Sequence, residues 1–217
     1  MSSITGYPSP DEFKRMLHTG DLHDIVDRYI FRGIPYAFRD DPSKHDSLRS
    51  LLSLGLGVPE SNIFVVGSGK IGFSLSPRTF PRKFSGESDL DVFVHDESLF
   101  DEIWECVLKW HYPKRNEGLN EGTDRTWAGD RKKDIYWGWL TPEKISFPWL
   151  TFPKSLAPLR DLRNTWFNAF HGLALDPSFA GLKVSGRLYR TLVHALLYQV
   201  EGLRMIKEGR IDTMREE

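Results

Sequence analysis

Residues 63–94 read IFVVGSGKIGFSLSPRTFPRKFSGESDLDVFV. This stretch predicts an apolar strand at 63–66, a turn at Gly67 and Ser68, a long polar and basic loop, and a second strand at 90–94. Successive side chains of a strand point to opposite faces, so Asp89 and Asp91 share one face while the apolar residues between and after them pack on the other. The sequence therefore predicts two carboxylates side by side at a strand end.

Two neighbouring carboxylates repel each other unless a cation lies between them. Mg²⁺ prefers oxygen ligands and commonly takes one or two carboxylates together with substrate phosphates. Asp89 and Asp91 therefore predict a metal-nucleotide site, with Mg²⁺ or Mn²⁺ as the expected cofactor. The alternative is an acidic pair that only protects an exposed strand edge from pairing with another chain.

The order of strand, Gly67-Ser68, strand and Asp89-x-Asp91 resembles the signature of the DNA polymerase β-like nucleotidyltransferase superfamily. The resemblance implies that the Gly-Ser turn holds the phosphates of a nucleotide and that the acidic pair binds two metal ions. It also implies an α+β fold, with a mixed β-sheet core flanked by N-terminal helices and a C-terminal helical pair. Ser68 and Asp89 lie 21 residues apart, which indicates an insertion at 69–87.

The resemblance also implies a third acidic residue on a neighbouring strand. The aromatic, alternating segment 134–140 (DIYWGWL) predicts such a strand, and its first residue, Asp134, is the expected third catalytic and metal-binding carboxylate. Asp130 is the alternative, because predicted boundaries shift by a few residues. Tyr136, on the same predicted strand face as Asp134, is a candidate for stacking on a base.

Basic residues are candidates for contacts with a triphosphate. The predicted last helix, at 182–208, would carry Lys183, Arg187, Arg190 and His194 in one stripe, although a solvated helix face is also charged. Other basic candidates lie in the loop at 69–87, where solubility explains them equally well. The expected nucleotide-binding residues are Gly67, Ser68, Lys70, Ser88, Lys183, Arg187 and Arg190, and the other loop cations are Arg78, Arg82 and Lys83.

Helix signals frame this core. Ser9-Pro10-Asp11-Glu12 predicts a capped helix start, and apolar spacing predicts further helices at 22–30, 42–54, 96–112 and 159–175. We divide the chain into an N-terminal helical preface (1–57), a nucleotidyltransferase core (58–150) and a C-terminal helical segment (151–217), packed as one unit. The polar connection at 113–133 is long enough to gate a cleft.

The whole-chain composition narrows the classes of function. The chain has 217 residues, a formal net charge of −1 and one cysteine, Cys106. The near-neutral charge gives no general attraction to nucleic acid, so an RNA or DNA partner would have to be held by a local basic patch. Without a signal-like start, a long apolar run or paired cysteines, the sequence predicts a cytoplasmic protein with no membrane partner.

The sequence thus predicts an enzyme that transfers a nucleoside monophosphate from a nucleoside triphosphate, expected to be ATP, to a hydroxyl acceptor. The acceptor is a protein side chain, a small molecule or a second nucleotide. The alternative is a non-catalytic module of the same fold that senses a nucleotide or binds a partner. A third hypothesis is that the chain is a structural or assembly protein, and it predicts no metal-dependent nucleotide binding at all.

Overall fold

The computed structural model describes residues 6–114, 130–145 and 157–209. Before the first strand these residues form three helices, α1 (Pro10–Thr19), α2 (Leu22–Ile25, continued by a π-helix at Val26–Phe31) and α3 (Pro42–Leu56). Short 3₁₀ turns occur at Tyr36–Phe38, before α3, and at Glu60–Asn62, after it. Strand β1 (Ile63–Val66) runs directly into the five-residue helix α4 (Gly67–Ile71).

The remaining elements complete the sheet and its flanking helices. They are β2 (Leu90–His95), α5 (Glu97–Lys114), α6 (Asp130–Tyr136), β3 (Trp139–Leu140), α7 (Ala157–Leu175), β4 (Val184–Tyr189) and α8 (Leu192–Glu208). Turns of 3₁₀ helix occur at Pro142–Lys144 and Pro177–Phe179. Among the described residues, no helix combines the length and apolar character that a membrane span needs.

Local signals explain the first helix and confirm its predicted start. The Ser9 hydroxyl accepts a hydrogen bond from the Glu12 N–H, and the Glu12 carboxylate accepts one from the Ser9 N–H. This capping box satisfies two backbone donors that a helix start leaves free. At the end of α3, Gly57 adopts φ +71°, the left-handed conformation that glycine supplies at helix ends.

Four strands form one mixed sheet in the order β1-β2-β4-β3. β1 is antiparallel to β2, β2 is parallel to β4, and β3 is antiparallel to β4. In the β2–β4 register, Asp91 is the partner of Ser185 and Phe93 is the partner of Arg187. The α+β class predicted from the sequence is confirmed.

Helices cover both faces of the sheet. Leu90, Val92 and Val94 of β2 pack on one face in a core shared with α3, α5 and α7. Phe93 packs on the other face in a core shared with α1, the π-helix and α8. Asp91 lies on the same side of β2 as Phe93, and Asp89, directly before the strand, lines the same cleft as Asp91. The alternation predicted from residues 89–94 is therefore present in the fold.

Two predicted elements are wrong. The segment 182–208 is not one helix: Lys183, Arg187 and Arg190 lie in or beside strand β4, and only His194 lies on a helix, so the predicted basic stripe does not exist. Pairing with β2 on one side and β3 on the other outweighs the local helical pattern. The C-terminal segment is thus helix, strand, helix rather than a helical pair.

The second error concerns the third acidic residue. Asp134 lies in helix α6, and the strand that follows is only two residues long, Trp139–Leu140. Gly138 separates the two with φ +76°. Tyr136 ends α6 and Trp137 follows it in a turn, and both are exposed instead of alternating across a sheet. Asp130 begins α6, and its side chain lies outside the described residues, as does most of the predicted gating segment 113–133.

Candidate nucleotide and metal site

A polar cleft of about 500 Å³ opens where β2 and β4 begin and where β1 meets α4. Seven residues predicted from the sequence line it: Gly67, Ser68, Arg82, Ser88, Asp89, Asp91 and Arg187. The loop between α4 and β2 forms one wall, and the turn after β3 and part of α8 form the other. Residues far apart in sequence are therefore brought together around the acidic pair.

Gly67 and Asp91 are in close contact at the base of the cleft. Gly67 adopts φ +64°, and a Cβ atom added there would lie 2.7 Å from Oδ2 of Asp91. Only glycine fits this position, because both the backbone conformation and the space exclude a side chain. The predicted turn is in fact the first turn of α4, with Ser68 as its second residue.

Asp91 is held by the neighbouring strand. The Ser185 hydroxyl donates a hydrogen bond of 3.0 Å to Oδ1 of Asp91. Desolvation by the surrounding protein raises the pKa of Asp91, while the Ser185 hydrogen bond and the charge of Arg187 oppose this rise. The charge of Asp89 adds to it. A cation between the two carboxylates would relieve both the repulsion and the desolvation.

Arg187 supplies a fixed positive charge beside the acidic pair. Its guanidinium carbon lies 4.5 Å from the ring centroids of both Trp139 and Tyr198, so the side chain is sandwiched between two aromatic faces. Nη1 donates a hydrogen bond of 3.3 Å to the Tyr189 hydroxyl. Burial opposes the charge, but Tyr189 and Tyr198 raise the pKa of Arg187 above its usual value. The cation is therefore held without a salt bridge to any described carboxylate.

Glu143 is an acidic residue of the cleft that the sequence did not reveal. It lies on the 3₁₀ turn after β3, and its Oε1 accepts hydrogen bonds from the Gly186 N–H at 3.3 Å and from Trp166 Nε1 at 3.4 Å. Burial raises the pKa of Glu143, and these two donors lower it in part. The Thr-Pro-Glu-Lys sequence predicts only a turn, so no local signal marked this residue.

Three acidic and three basic side chains line the cleft in the described part of the chain. They are Asp89, Asp91 and Glu143, and Arg82, Lys144 and Arg187. Hydroxyl groups make up much of the remaining wall, from Ser68, Ser74, Ser76, Thr79, Ser88, Thr141 and Ser185. Such a surface suits a ligand with several charged oxygen atoms and a bound cation.

The described residues contain no cluster of three or more histidine, cysteine, aspartate or glutamate side chains arranged to hold a metal ion. In the cleft, Asp89 and Asp91 are the neighbouring carboxylates that could hold a metal ion. Two carboxylates suffice for Mg²⁺ when substrate phosphates complete its coordination. Asp134, half-buried on α6, does not line the cleft. The residues present fit a magnesium ion that arrives with a nucleotide.

Several predicted nucleotide-binding residues lie elsewhere. Lys70 faces a separate cavity, and Lys183 is exposed outside the cleft. Arg190 makes two hydrogen bonds to Asp101, of 2.7 and 3.0 Å, and so joins the end of β4 to α5. Of the other loop cations, Arg82 lines the cleft, whereas Arg78 and Lys83 do not.

Comparisons of this chain with protein-family models, with curated proteins and with solved structures found no match.

Proposed function

We propose that this chain is a metal-dependent nucleotidyltransferase, which transfers a nucleoside monophosphate from a nucleoside triphosphate to a hydroxyl acceptor. One observation carries the proposal: Gly67, Ser68, Asp89 and Asp91 line the same cleft, although Ser68 and Asp89 lie 21 residues apart in sequence, and Gly67 lies directly against Asp91. This is the arrangement that the resemblance to the polymerase β-like superfamily implies. ATP is the first substrate to test.

The phosphate end of the nucleotide would lie against Ser68. Its hydroxyl and the backbone N–H groups of this first turn are donors for phosphate oxygens. Arg187 would add positive charge from strand β4, and Arg82 from the loop between α4 and β2. Arg187 is suited to this role because its position is fixed by aromatic stacking before any ligand arrives.

Asp89 and Asp91 would hold Mg²⁺ or Mn²⁺ against the phosphates. A bound divalent ion supplies Lewis-acid stabilisation of the charge that develops on the phosphate oxygens. The protein's own contribution is to fix the direction of Asp91, through the Ser185 hydrogen bond and the contact with Gly67. Ser185 is therefore a positioning residue for this carboxylate.

In the transfer step, the acceptor oxygen attacks the α-phosphorus. A new phosphorus–oxygen bond forms, the bond from the α-phosphorus to the bridging oxygen breaks, and pyrophosphate leaves. The hydroxyl proton passes to a carboxylate of the cleft, and we assign this role to Glu143. Burial raises the pKa of Glu143 toward neutral pH, and a general base is most effective when its pKa is near the working pH. Glu143 thus takes the role that the sequence assigned to Asp134.

Incubation with α-labelled nucleoside triphosphates tests transfer directly. The full chain is mixed with each labelled triphosphate, Mg²⁺ or Mn²⁺, and host lysate, and the products are separated into protein, nucleic acid and small molecules. We expect label in one fraction, with a loss of at least about 100-fold in Asp89→Asn/Asp91→Asn. Asp161→Asn, on the outer side of α7 beside Arg160, is the matched control and should keep full activity.

A second candidate function is metal-dependent nucleotide binding without transfer. One observation favours it: on β4, the strand next to β2, the residue paired with Asp91 is Ser185, whereas a catalytic site would be expected to have a third carboxylate on a neighbouring strand. A sensor or partner-binding module would bind ATP with Mg²⁺ but would move no label. Glu143→Gln separates the two functions: it should abolish transfer by an enzyme and leave binding unchanged in either case.

A further inference from the structure

A second cavity, of about 290 Å³, lies at the β1 edge of the sheet. We call it the edge cavity; its polar lining comes mainly from Gly33, His45, Asp46, Arg49, Ser61 and Lys70. It shares no lining residue with the cleft.

Lys70 is a buried cation without a counterion. The residue is 3% exposed, and its Nζ donates one hydrogen bond of 2.6 Å, to the Gly33 carbonyl oxygen. None of the described carboxylates lies within salt-bridge distance of it. An ammonium group has three N–H donors, so part of its capacity is unused. Burial lowers the pKa of Lys70 to about 8, which leaves it mainly charged at pH 7.

His45 and Arg49, which also line the edge cavity, have further polar groups whose hydrogen-bonding capacity is unused. Nδ1 of His45 is buried and has no hydrogen-bond partner among the described residues. Burial, together with the charges of Arg49 and Lys70, lowers the pKa of His45 to about 4, so the ring is neutral at pH 7. Arg49 donates from Nε and Nη2 to the Glu60 carbonyl oxygen and keeps its remaining donors.

The charge and polarity of this lining favour an anionic ligand. Two cations, Lys70 and Arg49, face one exposed acid, Asp46. Apolar side chains, among them Ile34 and Phe64, form the rest of the wall. A buried ammonium group without a counterion is destabilising, and an anion would relieve it. The remaining apolar surface suits a compact organic body attached to that anion.

We propose that the edge cavity binds a small organic oxyanion, with Lys70 as its counterion and His45 and Arg49 as additional polar contacts. The ligand class is a carboxylate or phosphate group on a compact apolar body. Benzoate and inorganic phosphate are the probes: benzoate tests for a carboxylate with an apolar body, and phosphate tests for the charged group alone.

Thermal unfolding and calorimetry of the full chain with each probe, at pH 7 and low chloride, test the proposal. We expect saturable binding with a rise in Tm for the wild type, and a dissociation constant at least about tenfold higher in Lys70→Met. Without a probe, Lys70→Met should unfold at the wild-type temperature or above, because an uncompensated buried charge has been removed. Lys183→Met, at an exposed lysine, is the matched control and should bind like the wild type.

Arg49→Gln gives an independent test should Lys70→Met fold poorly, and it should also weaken binding several-fold. The proposal is overturned if neither probe binds saturably, or if Lys70→Met unfolds at a lower temperature and binds the probes unchanged. It is also overturned if Arg187→Met, and not Lys70→Met, abolishes binding, since the anion would then occupy the cleft.

Discussion

Gly67 and Asp91 constrain each other at the base of the cleft. The glycine has a left-handed backbone and faces Oδ2 of Asp91 at the distance where a Cβ atom would clash. The carboxylate therefore takes its position from the absence of a side chain at residue 67, as well as from the Ser185 hydroxyl. A change at either position should alter ligand binding through the geometry of one oxygen atom.

Replacement of Gly67 by alanine tests this contact. We expect Gly67→Ala to lose about 1–3 kcal/mol of stability, because it combines a strained backbone with a clash, and to lose most metal-dependent nucleotide binding. Gly57→Ala is the matched control: φ is similar, at +71°, but the added atom meets open space. Equal ATP affinity in the two variants, measured by calorimetry, would contradict the account.

The raised pKa of Asp91 determines whether this carboxylate raises or lowers the stability of the fold as the pH changes. The folded state binds the proton of this carboxyl more tightly than the unfolded chain does. The contribution of this group to the free energy of unfolding therefore falls as the pH rises from the unfolded-state pKa of 3.8 toward the higher pKa of the folded state. Asp91→Asn, without metal, should therefore be more stable than the wild type at pH 7. The carboxylate keeps some solvent contact, so we expect a modest gain of about 2 °C in Tm.

Thermal unfolding between pH 3.5 and 7 measures this difference. The advantage of Asp91→Asn should shrink toward the acidic end, where the wild-type carboxyl becomes largely protonated in both states. A variant less stable than the wild type at pH 7 would show that the Ser185 hydrogen bond outweighs desolvation.

At the level of elements, β4 decides the architecture, because it pairs with β2 on one side and β3 on the other. Its residues alternate: Ser185 and Arg187 face the cleft side, whereas Gly186 lies beneath Trp166 and Phe170 of α7. A Cβ atom on Gly186 would lie 2.4 Å from Phe170. The glycine lets α7 pack close to the sheet.

Gly186→Ala should therefore be destabilising, by about 1–3 kcal/mol, through overpacking. Gly202→Ala, at an open position inside helix α8, is the contrasting variant and should gain up to about 1 kcal/mol from helix propensity. Urea unfolding measures both. The same sign of change in the two variants would contradict the close packing of α7 on β4.

The sequence predicted elements with strong local signals and missed those that depend on distant pairing. The capped helix at Ser9 and the strands at 63–66 and 90–94 carry their information within a few residues. Strand β4 does not, since its Val-Ser-Gly-Arg-Leu-Tyr pattern also fits a helix until β2 and β3 pair with it. The alternation of Ser185, Arg187 and Tyr189 was the available signal for this strand.

The same distinction applies to the cleft. The Gly-Ser turn and the acidic pair were predicted because they lie in one stretch of sequence. Glu143 could not be found in this way, because its position in the cleft depends on contacts with residues distant in sequence: its carboxylate accepts hydrogen bonds from Trp166 and Gly186. Lys70 lies only two residues from Ser68, yet α4 directs it into the edge cavity.

At the scale of the molecule, the sheet cannot be divided at the predicted boundary between residues 150 and 151. The central strand β4 belongs to the C-terminal segment, whereas its neighbours β2 and β3 precede the boundary. A fragment of residues 1–150 should therefore lack cooperative unfolding and the near-ultraviolet signal of packed aromatic rings. Addition of the 151–217 fragment should restore both; independent folding of 1–150 would contradict this topology.

Both proposed functions require the cleft between β2, β4 and α4 to bind a nucleotide together with a divalent metal. The most direct test is calorimetric titration of the full chain with ATP, with and without Mg²⁺, beside Asp89→Asn/Asp91→Asn and the Asp161→Asn control. We expect saturable binding that requires both the metal and the acidic pair and that the control variant retains. Binding of equal affinity without Mg²⁺ or without the two carboxylates, or no binding under any condition, would contradict it.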